Sequence, residues 1–142
     1  MIDEFSVMES LRSFIVKHLE GYTDKAVSID LPDPSNMASN RMIYLVHESS
    51  EYETLSTLED QVLAQYTVTL MSKGSKYGTM VKALYETKEK LVSLLRSNQG
   101  LDDDATDFIS VVGMEFYPSV VATGVQPCIE LSVLAQFVKE HD

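Results

Sequence analysis

Three histidines and one cysteine are the side chains of this sequence that could give nitrogen or sulfur ligands to zinc, and the cysteine could also act as a nucleophile. His18, His47 and His141 lie far apart in sequence, and none has a second histidine or a cysteine at ligand spacing. Cys128 belongs to a segment in which apolar and polar residues alternate, with no histidine near it in sequence. We therefore predict no zinc site, and we expect Cys128 to be a packing residue.

Two further segments have residues that could bind an ion. Asp102, Asp103 and Asp104 form the densest acidic cluster, but Ala105-Thr106 interrupts the alternating oxygen ligands that a calcium loop needs. Residues 73–78 precede a predicted helix, where backbone amides can bind a phosphate, yet their glycines lack the spacing of a nucleotide-binding loop. Both segments are predicted to be plain turns. We expect no cofactor, no metal and no catalytic activity.

Charge and composition narrow the possible partners. The 142 residues suit one domain, residues 1–142, and 44% of them are hydrophobic. The 22 acidic and 11 basic residues give a net charge of -11, which disfavours binding to DNA and to anionic membranes. A single cysteine allows no intrachain disulfide. Without a secretion signal or an apolar stretch long enough to cross a membrane, we expect synthesis in a cytoplasm.

The first half of the chain predicts one helix and two strands. Apolar residues recur every three or four positions between Asp3 and residue 20, and Gly21 follows as a stop. Residues 25–31 and 41–48 are predicted strands. Residues 49–59 are polar and acidic without a core pattern, so we predict a long exposed loop there.

The second half of the chain predicts one more helix and three strands. Residues 60–72 alternate as a long strand, and residues 76–97 have a helical stripe of apolar residues that includes Tyr77. Residues 107–117 and 126–138 are the last two strands, joined by a loop over 118–126. The resulting order, α-β-β-β-α-β-β, predicts an α+β fold: a mostly antiparallel sheet of about five strands with two helices packed on one face.

This order of elements resembles the small tail-terminator, or tail-completion, proteins of long-tailed bacteriophages, a family related to minor head-tail joining proteins. The resemblance covers essentially the whole chain. It rests on the first amphipathic helix leading into residues 27–32 (Val-Ser-Ile-Asp-Leu-Pro), the turn at 70–74 (Leu-Met-Ser-Lys-Gly), the helix 77–95 and the strands 108–117 and 126–138.

The resemblance implies a structural protein of the virion. Members of that family form a homo-oligomeric ring, usually a hexamer, at the head-proximal end of the tail tube. The ring ends tube polymerisation and joins the tail to the head, so its partners are the tail tube protein and the head-tail connector protein. Genome DNA crosses the lumen without specific binding, and a net charge of -11 is compatible with that passage.

Docking is expected at the two predicted loops. The loop over 49–59 is long and polar, and the loop over 118–126 contains valines that a monomer has little reason to expose. The candidate interface residues are Ser49, Glu51, Tyr52, Glu53, Leu55, Leu58, Val120, Val121 and Val125.

Two other functions are compatible with the sequence. A head-side neck or closure protein of the connector has a similar size and general fold. A small acidic cytoplasmic protein-binding module has a similar composition, although it explains the apolar loop less well.

Overall fold

In the computed structural model, which describes residues 2–121 and 124–141, two helices pack on one face of a five-stranded sheet. The elements in chain order are α1 (Glu4–His18), a short 3-10 helix (Asp24–Ala26), β1 (Val27–Ser28), β2 (Arg41–Thr54), β3 (Glu59–Ser72), α2 (Tyr77–Ser97), β4 (Phe108–Val121) and β5 (Gly124–Glu140). The predicted α+β class and the predicted order of elements are confirmed.

The sheet is mixed. Its strand order is β1-β2-β3-β5-β4, with antiparallel pairing everywhere except between β1 and β2, which are parallel. The strand predicted over 25–31 was wrong in extent, because only Val27 and Ser28 pair with β2. The side chain of Arg12 donates to the carbonyl of Val27 (2.8 Å) and to that of Asp24 (2.7 Å), so it holds the preceding residues in the 3-10 turn.

Helix α1 begins at the predicted cap. The carboxylate of Asp3 accepts from the amide of Ser6, and the Ser6 hydroxyl accepts from the amide of Asp3, each at 2.8 Å. This reciprocal pair satisfies two amides that the first turn leaves free. Gly21 follows the helix with φ of +88°, a left-handed conformation that favours glycine.

The core lies between the helices and one face of the sheet. Helix α1 contacts β1 and β2, whereas α2 contacts β3, β5 and β4. The residues of β3 and β5 that alternate toward the helices are all buried: Val62, Ala64, Tyr66, Val68 and Leu70 from β3, and Ile129, Leu131, Val133, Ala135 and Phe137 from β5. Tyr77 was predicted to join the α2 stripe, but it is exposed at the first residue of the helix.

Both predicted loops are β-hairpins. β2 continues to Thr54 and β3 starts at Glu59, so the polar residues 49–54 are paired strand and only 55–58 form the turn. β4 likewise continues to Val121 and β5 starts at Gly124. Polar residues can extend a strand here because a neighbouring strand satisfies their backbone groups, whatever face pattern their side chains have.

Candidate protein–protein interfaces

The first group of predicted interface residues lies together on the β2–β3 hairpin. Ser49, Glu51, Tyr52, Glu53, Leu55 and Leu58 are all exposed there. Glu51 and Glu53 pair with Leu63 and Gln61 of β3, which places them on the sheet face opposite the helices. At the turn, Leu58 is 60% exposed. The hairpin therefore presents apolar side chains flanked by carboxylates.

The turn of this hairpin is held by backbone and terminal contacts. The amides of Leu55 and Ser56 both donate to the carbonyl of Glu59, at 3.0 and 3.1 Å. The amide of His141 donates to the carbonyl of Leu58 at 2.6 Å, and the His141 ring lies 2.7 Å from the carboxylate of Asp60. These contacts make the β2–β3 hairpin an ordered arm of the sheet.

Glu4 joins the start of α1 to the same hairpin. Its carboxylate accepts from the hydroxyls of Tyr52 and Ser50 (3.2 Å for Ser50) and lies 3.2 Å from the ammonium of Lys139. The hydroxyl of Tyr66 donates to the Glu4 carbonyl at 2.7 Å. One acidic residue thus connects the helix with β2, β3 and β5.

The pKa of Glu4 is set by opposing effects. Burial of the carboxylate raises it, but the hydrogen bonds from Tyr52, from the Glu4 backbone and from Lys139, together with the Lys139 charge, lower the pKa from 4.5 to about 2. The hydrogen bond that Tyr52 donates to Glu4 raises the pKa of Tyr52, and the one that Lys139 donates raises the pKa of Lys139. The cluster is therefore a charged, hydrogen-bonded support for the hairpin.

The second group of predicted interface residues lies at the other end of the sheet. Val120 pairs with Val125 in the β4–β5 hairpin, and Val121 pairs with Gly124. The side chains of residues 120–125 lie outside the described part of the structure. Because Glu140, at the far end of β5, pairs with Glu59, the two hairpin turns are about 50 Å apart along the strand direction. The structure does not bring the two predicted groups together.

A further exposed surface was not predicted from the sequence. The rings of Tyr85 on α2 and Phe116 on β4 stack with centroids 5.9 Å apart, and the Lys88 ammonium lies 5.6 Å from the centre of the Tyr85 ring. Met114 shares this sheet face with Phe116, and both are exposed, as is Tyr77. Aromatic residues and methionine are enriched in protein interfaces. We call Tyr77, Tyr85, Met114, Phe116 and the basic side chains of 73–96 other than Lys90 the α2–β4 surface, since Lys90 lies beside the end of α1.

Basic residues are concentrated in α2 and the segment that precedes it. Residues 73–97 contain six of the 11 basic residues of the chain, namely Lys73, Lys76, Lys82, Lys88, Lys90 and Arg96, and only two acidic ones, a net charge of +4. The segment is an exception in a chain of net charge -11. This local excess of basic residues is visible in the sequence and could have been used to predict the surface. Within the described ranges, Lys88 is the only one of the six that forms an ion pair.

The remaining titratable and polar groups have structural roles. Cys128 is buried, and burial raises the pKa of its thiol to about 11, away from the thiolate that a nucleophile needs. The Asp102 carboxylate lies 2.8 Å from the His18 ring and fastens the 101–104 turn to α1. Among the described residues, no group of three or more candidate ligands could hold a metal ion. No helix in that part of the chain is long and apolar enough to span a bilayer.

A cleft of about 360 Å³ lies beside β1. It is lined by the 3-10 helix and by parts of the segment leading to β2, with Arg12 and Tyr44 on its walls. The Arg12 guanidinium already donates to two carbonyls and lies 3.7 Å from the Asp24 carboxylate. Arg12, one of the two cations that line the cleft, is therefore engaged within the chain, whereas Lys25 forms no ion pair within the described ranges.

Comparison with solved structures finds chains of similar fold. A chain in the structure titled virion of native gene transfer agent particle matches at a TM-score of 0.54 and 12% identity, over 96% of this chain and all of that one. The two chains share a fold. A sheath/tube terminator of an extracellular contractile injection system, in the extended state, matches at 0.48 and 12% identity, over 99% of this chain and 58% of that one. No protein-family model and no curated protein sequence matches.

Proposed function

We propose that this chain is a structural subunit of a bacteriophage-like tail, forming a ring that ends the tail tube and joins it to the head. The observation that carries the proposal is the fold shared with a gene transfer agent virion chain over the whole length of that chain. A fold alone hosts many functions, so the surface must also suit assembly. Two exposed surfaces of opposite charge on different sides of the sheet support that requirement.

A closed ring needs a heterologous contact, in which one surface of each subunit meets a different surface of the next. The β2–β3 hairpin and the α2–β4 surface lie toward opposite edges of the sheet, because β3 and β5 lie between β2 and β4. That separation is about 14 Å. The proposed ring has six subunits, as the resemblance to tail terminators implies.

The ring would sit in the virion, at the head-proximal end of the tail, after assembly in the host cytoplasm. Its proposed partners are the tail tube protein on one side and the head-tail connector protein on the other. The β4–β5 hairpin, with Val120, Val121 and Val125, is proposed to meet one of these partners, because it lies at the end of the sheet away from the other hairpin. A net charge of -11 would let DNA cross the lumen without adhering.

The test is electron microscopy in negative stain. The purified protein is mixed with tubes of the tail tube protein encoded in the same genome, and is compared with the protein alone and with tubes alone. A ring or cap at one end of each tube is the expected result, and its averaged image gives the number of subunits directly.

Bare tube ends would contradict the proposal. Adding the protein to filled heads then separates the remaining candidates. Binding to heads would assign the chain to the head-side closure position, and binding to neither particle would leave the small acidic module.

A further inference from the structure

The distribution of charge points to a particular contact between subunits. Between residues 48 and 60 there are five acidic residues and no basic one: Glu48, Glu51, Glu53, Glu59 and Asp60. Residues 73–97 have six basic and two acidic residues. The first segment forms the part of the β2–β3 hairpin next to its turn, and the second forms α2 and the residues just before it. Charges of opposite sign are therefore segregated onto two parts of the fold.

These charges are available to a partner. Within the described ranges, Glu48, Glu51, Glu53 and Glu59 form no ion pair, and Lys73, Lys76, Lys82, Lys90 and Arg96 form none either. All nine residues are exposed. Each surface also has exposed apolar side chains that a contact could bury: Leu55 and Leu58 on the hairpin, and Tyr85 and Phe116 on the α2–β4 surface.

The two surfaces cannot neutralise each other within one subunit. Helix α2 contacts β3, β5 and β4, whereas the acidic residues of β2 are on the other side of β3. Glu51 and Glu53 also lie on the sheet face opposite the helices. A second copy of this chain presents a surface of complementary charge to them.

We propose that the acidic β2–β3 hairpin of one subunit docks on the basic, aromatic α2–β4 surface of the next. The contact is heterologous, since the hairpin and the α2–β4 surface are different parts of the molecule, and repetition of it generates a closed ring or a filament. Carboxylates of the hairpin pair with ammonium groups of α2, while Leu55 and Leu58 pack against the aromatic side chains. This inference deepens the ring of the proposed function but is tested separately from tube binding.

Charge reversal tests the contact. One variant reverses the hairpin, and the other reverses the helix. The hairpin variant carries Glu51→Lys, Glu53→Lys and Glu59→Lys, and the helix variant carries Lys76→Glu, Lys82→Glu and Arg96→Glu. A control variant with Glu9→Lys changes an exposed acidic residue of α1, outside both surfaces. Unchanged circular dichroism and melting temperature verify the fold of each variant.

Self-association is measured by analytical ultracentrifugation at low and at physiological salt, with the protein alone and with tail tubes. We expect each reversed variant to raise the dissociation constant about tenfold or more, since like charges then face each other. The control variant should associate like the unmodified protein. Added salt should weaken the unmodified association, because exposed charges are screened over about 8 Å at physiological ionic strength.

Mixing the two reversed variants gives the decisive result. In the mixture, each reversed hairpin meets a reversed helix and each native helix meets a native hairpin, so assembly should return. The variant that combines all six substitutions should also assemble. Association that is unaffected by both reversals, or that fails to return on mixing, would overturn the inference, as would unmodified protein that stays monomeric with and without tubes.

The outcomes separate this contact from the proposed function. If the charge reversals weaken self-association and the tube ends stay bare, the contact is supported and the tail role is contradicted. Rings that form on tube ends equally well with the charge-reversed variants support the tail role and contradict the proposed contact.

Discussion

Replacement of Glu4 by glutamine should destabilise the protein in a way that depends on pH. The Glu4 side chain is 14% exposed and is held by Tyr52, Ser50 and Lys139. Its pKa is 4.5 when unperturbed and about 2 in the folded protein. Each pH unit between folded and unfolded pKa values is worth about 1.4 kcal/mol, so the charged form of Glu4 contributes about 3 kcal/mol to the free energy of unfolding.

The sign of the pH dependence follows from the lowered pKa. The unfolded chain takes up a proton first as the pH falls, so the contribution is complete well above pH 4.5 and is lost between pH 4.5 and 2. At pH 3 only about 1.4 kcal/mol remains. Glutamine keeps an acceptor for Tyr52 but loses the charge that faces Lys139, so Glu4→Gln should show most of this loss at pH 7 and little of it at pH 2.

Urea denaturation at pH 7, 5 and 3 measures the effect as the difference in free energy of unfolding between the two proteins. Glu9→Gln is the matched control, since Glu9 is an exposed residue of the same helix and forms no ion pair within the described ranges. We expect the control to differ from the unmodified protein by less than about 0.5 kcal/mol. A Glu4→Gln loss that is equal at pH 7 and pH 3 would refute the assignment of the stabilisation to the charged carboxylate.

Three further predictions concern groups that the fold holds in place. Tyr66→Phe removes the donor to the Glu4 carbonyl, and urea denaturation should show a loss of about 1 kcal/mol; no loss would mean that water replaces the hydroxyl. Gly21→Ala should lower the unfolding free energy by about 1 kcal/mol, because φ is +88° there, and an unchanged melting temperature would contradict this strain. Cys128, buried and with its thiol pKa raised to about 11, should react with a thiol reagent only after denaturation; rapid native labelling would contradict its burial.

Helices and the order of elements could be predicted from the sequence, because their signals are local. The apolar stripe of α1 and its cap at Asp3 are properties of neighbouring residues, and the helix begins at Glu4 as expected. The alternation of 60–72 likewise predicted β3, which spans Glu59–Ser72. The observed ends of these elements differ from the predicted ends by one or two residues.

Strand extent could not be predicted where the partner strand decides it. Residues 49–54 have no apolar pattern, yet they pair with β3, and β3 in turn pairs with β5 as far as Glu140. The backbone of a polar segment gains the same hydrogen bonds as that of an apolar one once a neighbour is present. The two segments predicted to be loops are therefore β-hairpins in the structure. The residues of the first candidate group nevertheless lie together and are exposed.

β-bulges in β2 and β4 change which face of the sheet their later residues occupy. In β2 the register shifts between His47 and Ser49, and in β4 it shifts between Val111 and Gly113. An extra residue exchanges the faces of all residues that follow it, because side chains alternate along a strand. Phe116 thereby reaches the helix side and stacks on Tyr85, a contact that a regular strand would not make.

The sequence by itself determined the acidic charge, the absence of an intrachain disulfide, the two helices and the α+β order of elements, since each depends on composition or on nearby residues. Tertiary structure alone decided the parallel pairing of β1, the lengths of both hairpins and the place of each charged segment in the fold. Strand pairing joins residues that are distant in sequence, and the strand order β1-β2-β3-β5-β4 puts the acidic hairpin and the basic helix on opposite sides of the sheet. The sequence contains both charges, but only the fold separates them onto different surfaces.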